Sequence, residues 1–323
     1  SDIGSTFDYI ADSTRGTIKG DGQFAGNLEF TIHEKVASPT AWMQTPPVLV
    51  NPLIVSNYDL YGSGSDTRVI NASGGDVLLL AHAPGGIPQV LMNTIISVQN
   101  VRRLHVYGLD LEVNDSSVAQ RLLQVKNSSP SGVNEDIFIE GLSIENNFIA
   151  NNCDAIAMFQ LGLEGNPLDR LVLQNCRITG IGTPGRDDGN DTHPDLMHLQ
   201  TLVVVDKIYI ENFTGSTMYQ GFYMPWNQNV TGSSFAPEYS LRDVNITSED
   251  IDTNRLYVTQ DEGYTAAQYP ITSFDNVYLS QAQNHSFSVG AAEVHVNPNL
   301  FDDSPFEFVA AARITGLPTP GAA

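Results

Sequence analysis

Basic residues are scarce: 15 Lys and Arg stand against 37 Asp and Glu, a net charge of −22 over 323 residues. Nucleic acid is therefore not the expected partner, since its binding leaves a basic footprint. Polyanions remain open only where a local basic patch or a bound cation reverses the field. Cysteine is scarcer still. Cys153 and Cys176 are the only two, which excludes a disulfide scaffold and paired-cysteine zinc signatures and leaves buried free thiols as the expectation. No apolar run approaches the roughly 18 residues of a membrane helix, so no membrane span is expected, and Ser1 opens no signal-peptide pattern. Helical periodicity is nearly missing too. What remains is an apolar content of 41%, enough for a sizeable core, carried on short β-branched runs broken by Asn, Gly, Asp and Ser. That is the grammar of strands and turns.

The strands repeat. Arg103-Leu104-His105-Val106, Asp136-Ile137-Phe138-Ile139, Arg170-Leu171-Val172-Leu173, Lys207-Ile208-Tyr209-Ile210, Asp243-Val244-Asn245-Ile246 and Asn276-Val277-Tyr278-Leu279 each read polar, apolar, variable, apolar. Their first apolar positions advance by 33 to 37 residues. Turn formers or small polar residues follow each start at Gly108, Gly141, Asn175, Asn212, Ser248 and Gln281, and Leu111, Ile144, Ile178 and Ile251 hold the next apolar position. A second column opens at Leu122, Ile156, Leu196, Phe222 and Leu256, and the octets 153–160 and 193–200 align without a gap. A strand repeated at this period with no helix between copies excludes a doubly wound sheet. It predicts an all-β solenoid of parallel strands, in which each repeat buries its apolar face only by stacking on its neighbours. The alternative is a β-sandwich, which does not repeat its strand grammar. One domain is expected over 1–323, with an N-terminal cap over 1–40, stacked repeats over 41–297, and a C-terminal cap and linker over 298–323.

This stacked grammar, clearest over 75–285, resembles the right-handed parallel β-helix proteins of the pectate-lyase-like superfamily. The resemblance implies a carbohydrate-active enzyme: a polysaccharide lyase, glycoside hydrolase or uronate epimerase, or a phage tailspike of the same architecture. It implies a polysaccharide or oligosaccharide partner, a secreted protein or one on a cell or virion surface, and, for spikes, a homotrimer. A non-catalytic carbohydrate-binding or adhesive rod is the competing reading, and the Pro-rich end suits a piece of something larger.

Chemistry-bearing residues concentrate in 185–200. The insertion 180–191 is the longest between the two columns, and loops in solenoids tend to wall a groove. Asp187, Asp188 and Asp191 could bind Ca²⁺ through carboxylate oxygens. One of these three could instead form a hydrolytic pair with Asp195, and a solvated acidic turn is the third reading. Strand alternation with Leu196 inward places Asp195 outward, toward the groove, with Tyr223, Arg255 and Tyr257, and His198 inward beside Met158. His193 lies at the mouth of the strand. A lyase needs a base and a cation to stabilise an enolate. The catalytic candidates are Asp195, His193, Asp188 and Arg255. Arg186, Tyr219, Tyr223, Trp226 and Tyr257 are the substrate-binding candidates, because aromatic faces stack on sugar rings.

Overall fold

The computed structural model describes residues 44–56, 60, 67–80, 90–114, 121–126, 135–147, 154–159, 168–181, 195–199, 205–217, 220–224, 238–248, 255–258, 271–279 and 294–296. Every element of more than one residue among them is a strand, and every strand pairing is parallel. The chain alternates between two sheets. The 12-stranded sheet runs in the order β1 (Leu53–Ser56), β3 (Asp76–Leu80), β6 (Arg103–Tyr107), β9 (Asp136–Glu140), β12 (Leu168–Ile181), β14 (Val205–Thr217), β16 (Glu238–Ser248), β18 (Ile271–Leu279) and β19 (Val294–Val296). Beside that path, β4 (Leu91–Met92), β7 (Asp110–Val113) and β10 (Ser143–Asn146) stack in turn on the distal part of β12. The 7-stranded sheet holds β2 (Thr67–Asn71), β5 (Ile95–Gln99), β8 (Leu123–Lys126), β11 (Ile156–Phe159), β13 (Asp195–Leu199), β15 (Gln220–Tyr223) and β17 (Arg255–Val258). This all-β, all-parallel arrangement is compatible with a parallel β-solenoid. No helix among the described residues is long and apolar enough to cross a membrane.

The repeat expected from the sequence holds through Leu104, Ile137, Leu171 and Ile208, which pair in register. It then shifts. Ile208 pairs with Tyr239, while Val244 pairs with Phe213 and continues to Val277. Val244 and Val277 thus belong to the next apolar column, with Cys176 and Phe213. The cause is a bend inside the long strands. Gly108, Gly141, Asn175, Asn212 and Asp243 hold φ of +70°, +66°, +54°, +47° and +51°. Their strands stack these left-handed residues on one another, the Asn212 amide donating to Asn175 Oδ1 at 2.8 Å. Only Gly, Asn and Asp enter this region routinely. Asp243, rather than Ser248, is therefore the fifth corner of the ladder.

The core is the stack of inward residues from both sheets. Leu111, Ile144 and Ile178 pair as expected, and Gly215 takes the next position, followed by Ile246. Ile251, assigned to that column by its sequence, lies outside the described residues. Gly215 leaves room for Leu196 of β13 and for the Phe213 ring, which meets Phe222 edge-on with centroids 5.0 Å apart. A Cβ at Gly215 would lie 2.6 Å from Leu196 Cδ1 and 2.8 Å from Phe213 Cε1. Gly215→Ala should therefore cost about 1–3 kcal/mol by overpacking, and its loss combined with that of Leu196→Ala should be less than additive in urea unfolding. Strictly additive losses would refute the contact. Cys176 is a free thiol buried in this core, with its pKa pushed up to about 12 by burial, so it is chemically quiet.

Across the outer face of the first sheet runs a charged column, Asp76, Arg103, Asp136, Arg170, Lys207 and Glu238 in register. Residues 44–50 strap over it. Arg170 donates to the Thr45 carbonyl at 3.0 Å and to Gln44 Oε1 at 3.3 Å. Arg103 donates to the Val48 carbonyl, and the Val50 amide to Asp76 Oδ2 at 2.6 Å. Arg170 also lies over the Phe138 ring at 5.5 Å. Arg170 and Lys207 are thus members of this ladder, and Arg170 is also the anchor of the strap.

Candidate functional site

The site forms where the chain turns into the strands of the second sheet. The pairing Leu123–Ile156–Met197–Phe222–Tyr257 sets the register. Two residues earlier it aligns Arg121, Asp154, Asp195, Gln220 and Arg255 as one column at the strand starts. The Ala155 amide donates to the Asp195 carbonyl at 2.9 Å, and the Asp195 amide donates to Asp154 Oδ1 at 3.2 Å. The two aspartates are therefore clamped together by backbone although 41 residues separate them. At each turn into a strand two successive residues are buried, Leu122/Leu123, Ala155/Ile156 and Leu196/Met197. Alternation begins only after them: Gln124, Ala157, His198 and Tyr223 pair across the sheet as the next column, in which Gln124, His198 and Tyr223 keep partial exposure and the small Ala157 is covered.

This corrects the side-chain directions expected for β13. Asp195 does not face a groove. It is 0% exposed. His198 does not face the core; its side chain keeps 18% exposure. The gapless alignment of 153–160 with 193–200 is one residue out of register, because Ile156 pairs with Met197 rather than with Leu196. A one-residue slip exchanges the two faces of a strand.

His198 Nδ1 lies 2.6 Å from Asp195 Oδ2. The approach is off the line of a ring N–H donor, so neither Asp195 oxygen accepts a hydrogen bond, and Nδ1 has none either. Arg121 Nε reaches Asp154 Oδ2 at 3.1 Å. The Tyr223 ring tilts against the imidazole with centroids 5.0 Å apart. One atom each from Asp154, Asp195 and His198 lie within 4.8 Å of one another, so a metal ion could be held by these three.

Burial, and then the neighbouring Asp154 charge, holds the Asp195 carboxyl well above the usual carboxylate range, with Arg121 opposing. Burial also raises Asp154, while His198 and Arg121 pull it down. Burial lowers His198 against the upward pull of Asp154. Burial thus favours the neutral forms of both His198 and Asp195. An orphaned buried carboxyl of this kind is costly and is answered in one of two ways, by a proton or by a cation.

Comparison with protein-family models, with curated proteins and with solved structures found no match. The site therefore rests on its own geometry.

Of the residues singled out from the sequence, the structure brings together Asp195, Tyr223 and, by register, Arg255, which opens β17 in the Asp195 column. Tyr257 pairs with Phe222 rather than with Tyr223, so it lies in the neighbouring column. His193, Arg186, Asp187, Asp188, Asp191, Tyr219 and Trp226 lie outside the described residues. Sequence reasoning missed Asp154 and Arg121 as site residues, and it set His198 aside as an inward core residue. The signal was present: Asp154 and Asp195 each stand two residues before a strand's register position, and Arg121 stands at the same place one strand earlier.

Proposed function

We propose that the protein is a right-handed parallel β-helix, secreted or displayed on a cell or virion surface, that cleaves an acidic polysaccharide by β-elimination. The observation that carries this reading is the pairing of a fully buried Asp195 carboxyl with Nδ1 of the partly exposed His198, 2.6 Å apart. The buried carboxyl packs against the Nδ1 edge and sets how the ring sits, and in the tautomer that carries its proton on Nδ1 the outer ring edge is the proton acceptor. His198 is the base, since burial favours its neutral form. It takes the proton beside the uronate carboxylate. The electron pair moves to form the ring double bond, and the bond to the linking oxygen breaks. Arg121, ion-paired with Asp154, and Arg255 farther along the column bring positive charge to the site, which an enolate needs in an acidic chain.

Elimination is favoured over hydrolysis by one feature. A hydrolytic pair needs two carboxyl groups that reach the substrate, and Asp195 has no exposed surface. Tyr223 beside His198 is the ring available for stacking on a sugar.

The test is a panel of uronate polymers, followed by ultraviolet absorbance of the unsaturated product and by reducing-sugar release. Both signals should rise with wild type, and His198→Ala should lose about a hundredfold or more of the rate, the usual contribution of a general base. Reducing ends without the unsaturated chromophore would replace elimination by hydrolysis. Binding without either signal would make the protein a carbohydrate-binding rod.

A further inference from the structure

We propose that Asp154, Asp195 and His198 form a binding site for one divalent transition-metal ion of the zinc class. This deepens the reading of the same cluster, but it is measured on the protein alone. Three observations carry it. The three side chains offer two carboxylate oxygens and one imidazole nitrogen within 4.8 Å of one another. Asp195 is fully buried and aimed into the cluster, and neither of its oxygens accepts a hydrogen bond. His198 Nδ1, the ring atom that faces Asp195, is buried and unbonded as well. A cation at the centre would satisfy all of these atoms at once, whereas a proton would satisfy only one pair.

The donor set selects the metal. Calcium takes six to eight oxygen ligands in a flexible shell, so an imidazole in a three-ligand pocket disfavours it. One imidazole and two carboxylates suit zinc and its neighbours, with a fourth position left open to solvent or substrate. The Ca²⁺ expected from the sequence was assigned to Asp187, Asp188 and Asp191, a different set. Bonds of about 2.0–2.1 Å around a tetrahedral ion hold ligand atoms roughly 3.3 Å apart. The 2.6 Å contact between His198 and Asp195 must therefore open slightly on binding, by a rotation of the partly exposed ring. Arg121 fixes the Asp154 carboxylate from behind at 3.1 Å, the usual place of an outer partner that orients a ligand. The net charge of −22 draws cations to the surface.

With the ion on Nδ1, the outer edge of His198 carries the ring proton and becomes a donor. The metal-loaded and metal-free proteins then differ in what they offer a substrate, which makes occupancy a switch on the same ring.

The experiment starts from untagged protein dialysed against chelator. Zn²⁺ is titrated by calorimetry and Co²⁺ by visible spectroscopy, with Ca²⁺ as the comparison. One equivalent of Zn²⁺ should bind, at least about a hundredfold tighter than Ca²⁺, and Co²⁺ should give a ligand-field band that Zn²⁺ abolishes. His198→Ala should weaken Zn²⁺ at least about tenfold. Its ring is partly exposed, so the variant should fold, and its melting temperature is checked alongside. Asp195→Asn provides the second variant and should lose the Co²⁺ band. No saturable Zn²⁺ or Co²⁺ binding near one equivalent, preference for Ca²⁺, or unchanged binding in both folded variants would each overturn the proposal. Because no polysaccharide is present in the titration, metal binding together with no elimination by the chelator-treated protein would refute only the enzyme reading. Elimination by a protein that binds no metal would refute only this one.

Discussion

Asp195→Asn is expected to stabilise the metal-free protein, by an amount that grows with pH. In the unfolded chain Asp195 ionises near 3.8, but burial and Asp154 hold it well above that in the folded protein. Between those two values the folded state binds the extra proton, so wild-type stability falls as pH rises. Below the unfolded value both states are protonated and the contribution vanishes; above the folded value it reaches a plateau. Asparagine carries no such proton. The gap between variant and wild type should therefore open above the ordinary carboxyl range, by up to about 1.4 kcal/mol per pH unit. Urea unfolding at two pH values two units apart, both above that range and with chelator present, should show it widen by up to about 2.7 kcal/mol. Asp154 is present in both proteins, so the difference isolates Asp195 and its coupling to that neighbour. A gap that does not change with pH would show that Asp195 titrates normally. Zn²⁺ should reverse the order of the two proteins, because the ion stabilises only a folded state that offers the carboxylate.

Gly180→Ala is expected to destabilise by about 3 kcal/mol or more, the sum of a left-handed residue that is no longer glycine and a backbone that must move. Gly180 holds φ at +76°, and a Cβ there would lie 2.1 Å from the Asn146 carbonyl oxygen. The same place is pinned from both sides. The Asn146 amide donates to the Gly180 carbonyl at 2.9 Å, and the Gly180 amide donates to Ser216 Oγ at 3.0 Å. The register of β12 against β14 shifts between Ile178 and Ile181, as at a bulge. Gly74 is the control: its φ is +86° with nothing within 4 Å of an added Cβ, so Gly74→Ala should lose only about 1–2 kcal/mol. Equal shifts in denaturation midpoint for the two variants would mean that the Asn146 contact relaxes at no cost. β12 ends at Ile181 and β13 opens at Asp195, so the rigid corner also launches the stretch that returns at the candidate site.

Much of the scaffold was legible because stacking imposes it on every repeat. The Leu104–Ile137–Leu171–Ile208 column and the corner residues from Gly108 to Asn212 follow from a short grammar copied at near-constant spacing. That reading failed where spacing stopped being a guide. Val244 and Val277 carry the same pattern as Ile208 but sit beyond the bend, because both halves of a long strand alternate in the same way. At the candidate site a single residue was decisive. The segment between the strand holding Ile156 and the one holding Met197 can take any length, so a gapless alignment has no physical privilege there. Matching Asp154 to Asp195 would have set the register correctly. Burial of two residues in a row at each strand start is a second reason: it breaks simple alternation at Leu196 and Met197, directly after Asp195. The partnership of Arg121, Asp154 and His198 is a product of the stacking and leaves no local motif.

The strap over the charged column has a consequence for how the chain is made. Its first residues contact Arg170, 126 positions later. Ribosomes add about 5–20 residues per second, so Gln44 and Thr45 wait on the order of 10 s before their partner exists. Val50, whose partner is Asp76, waits only 26 residues. The strap is thus secured from its C-terminal end backwards, and its earliest-made residues are the last to be fastened. During that interval the growing stack displays Asp136 without Arg170, and the leading segment is free to meet chaperones or other chains. Synthesis speed, and not only the finished contacts, then sets how long that segment stays available.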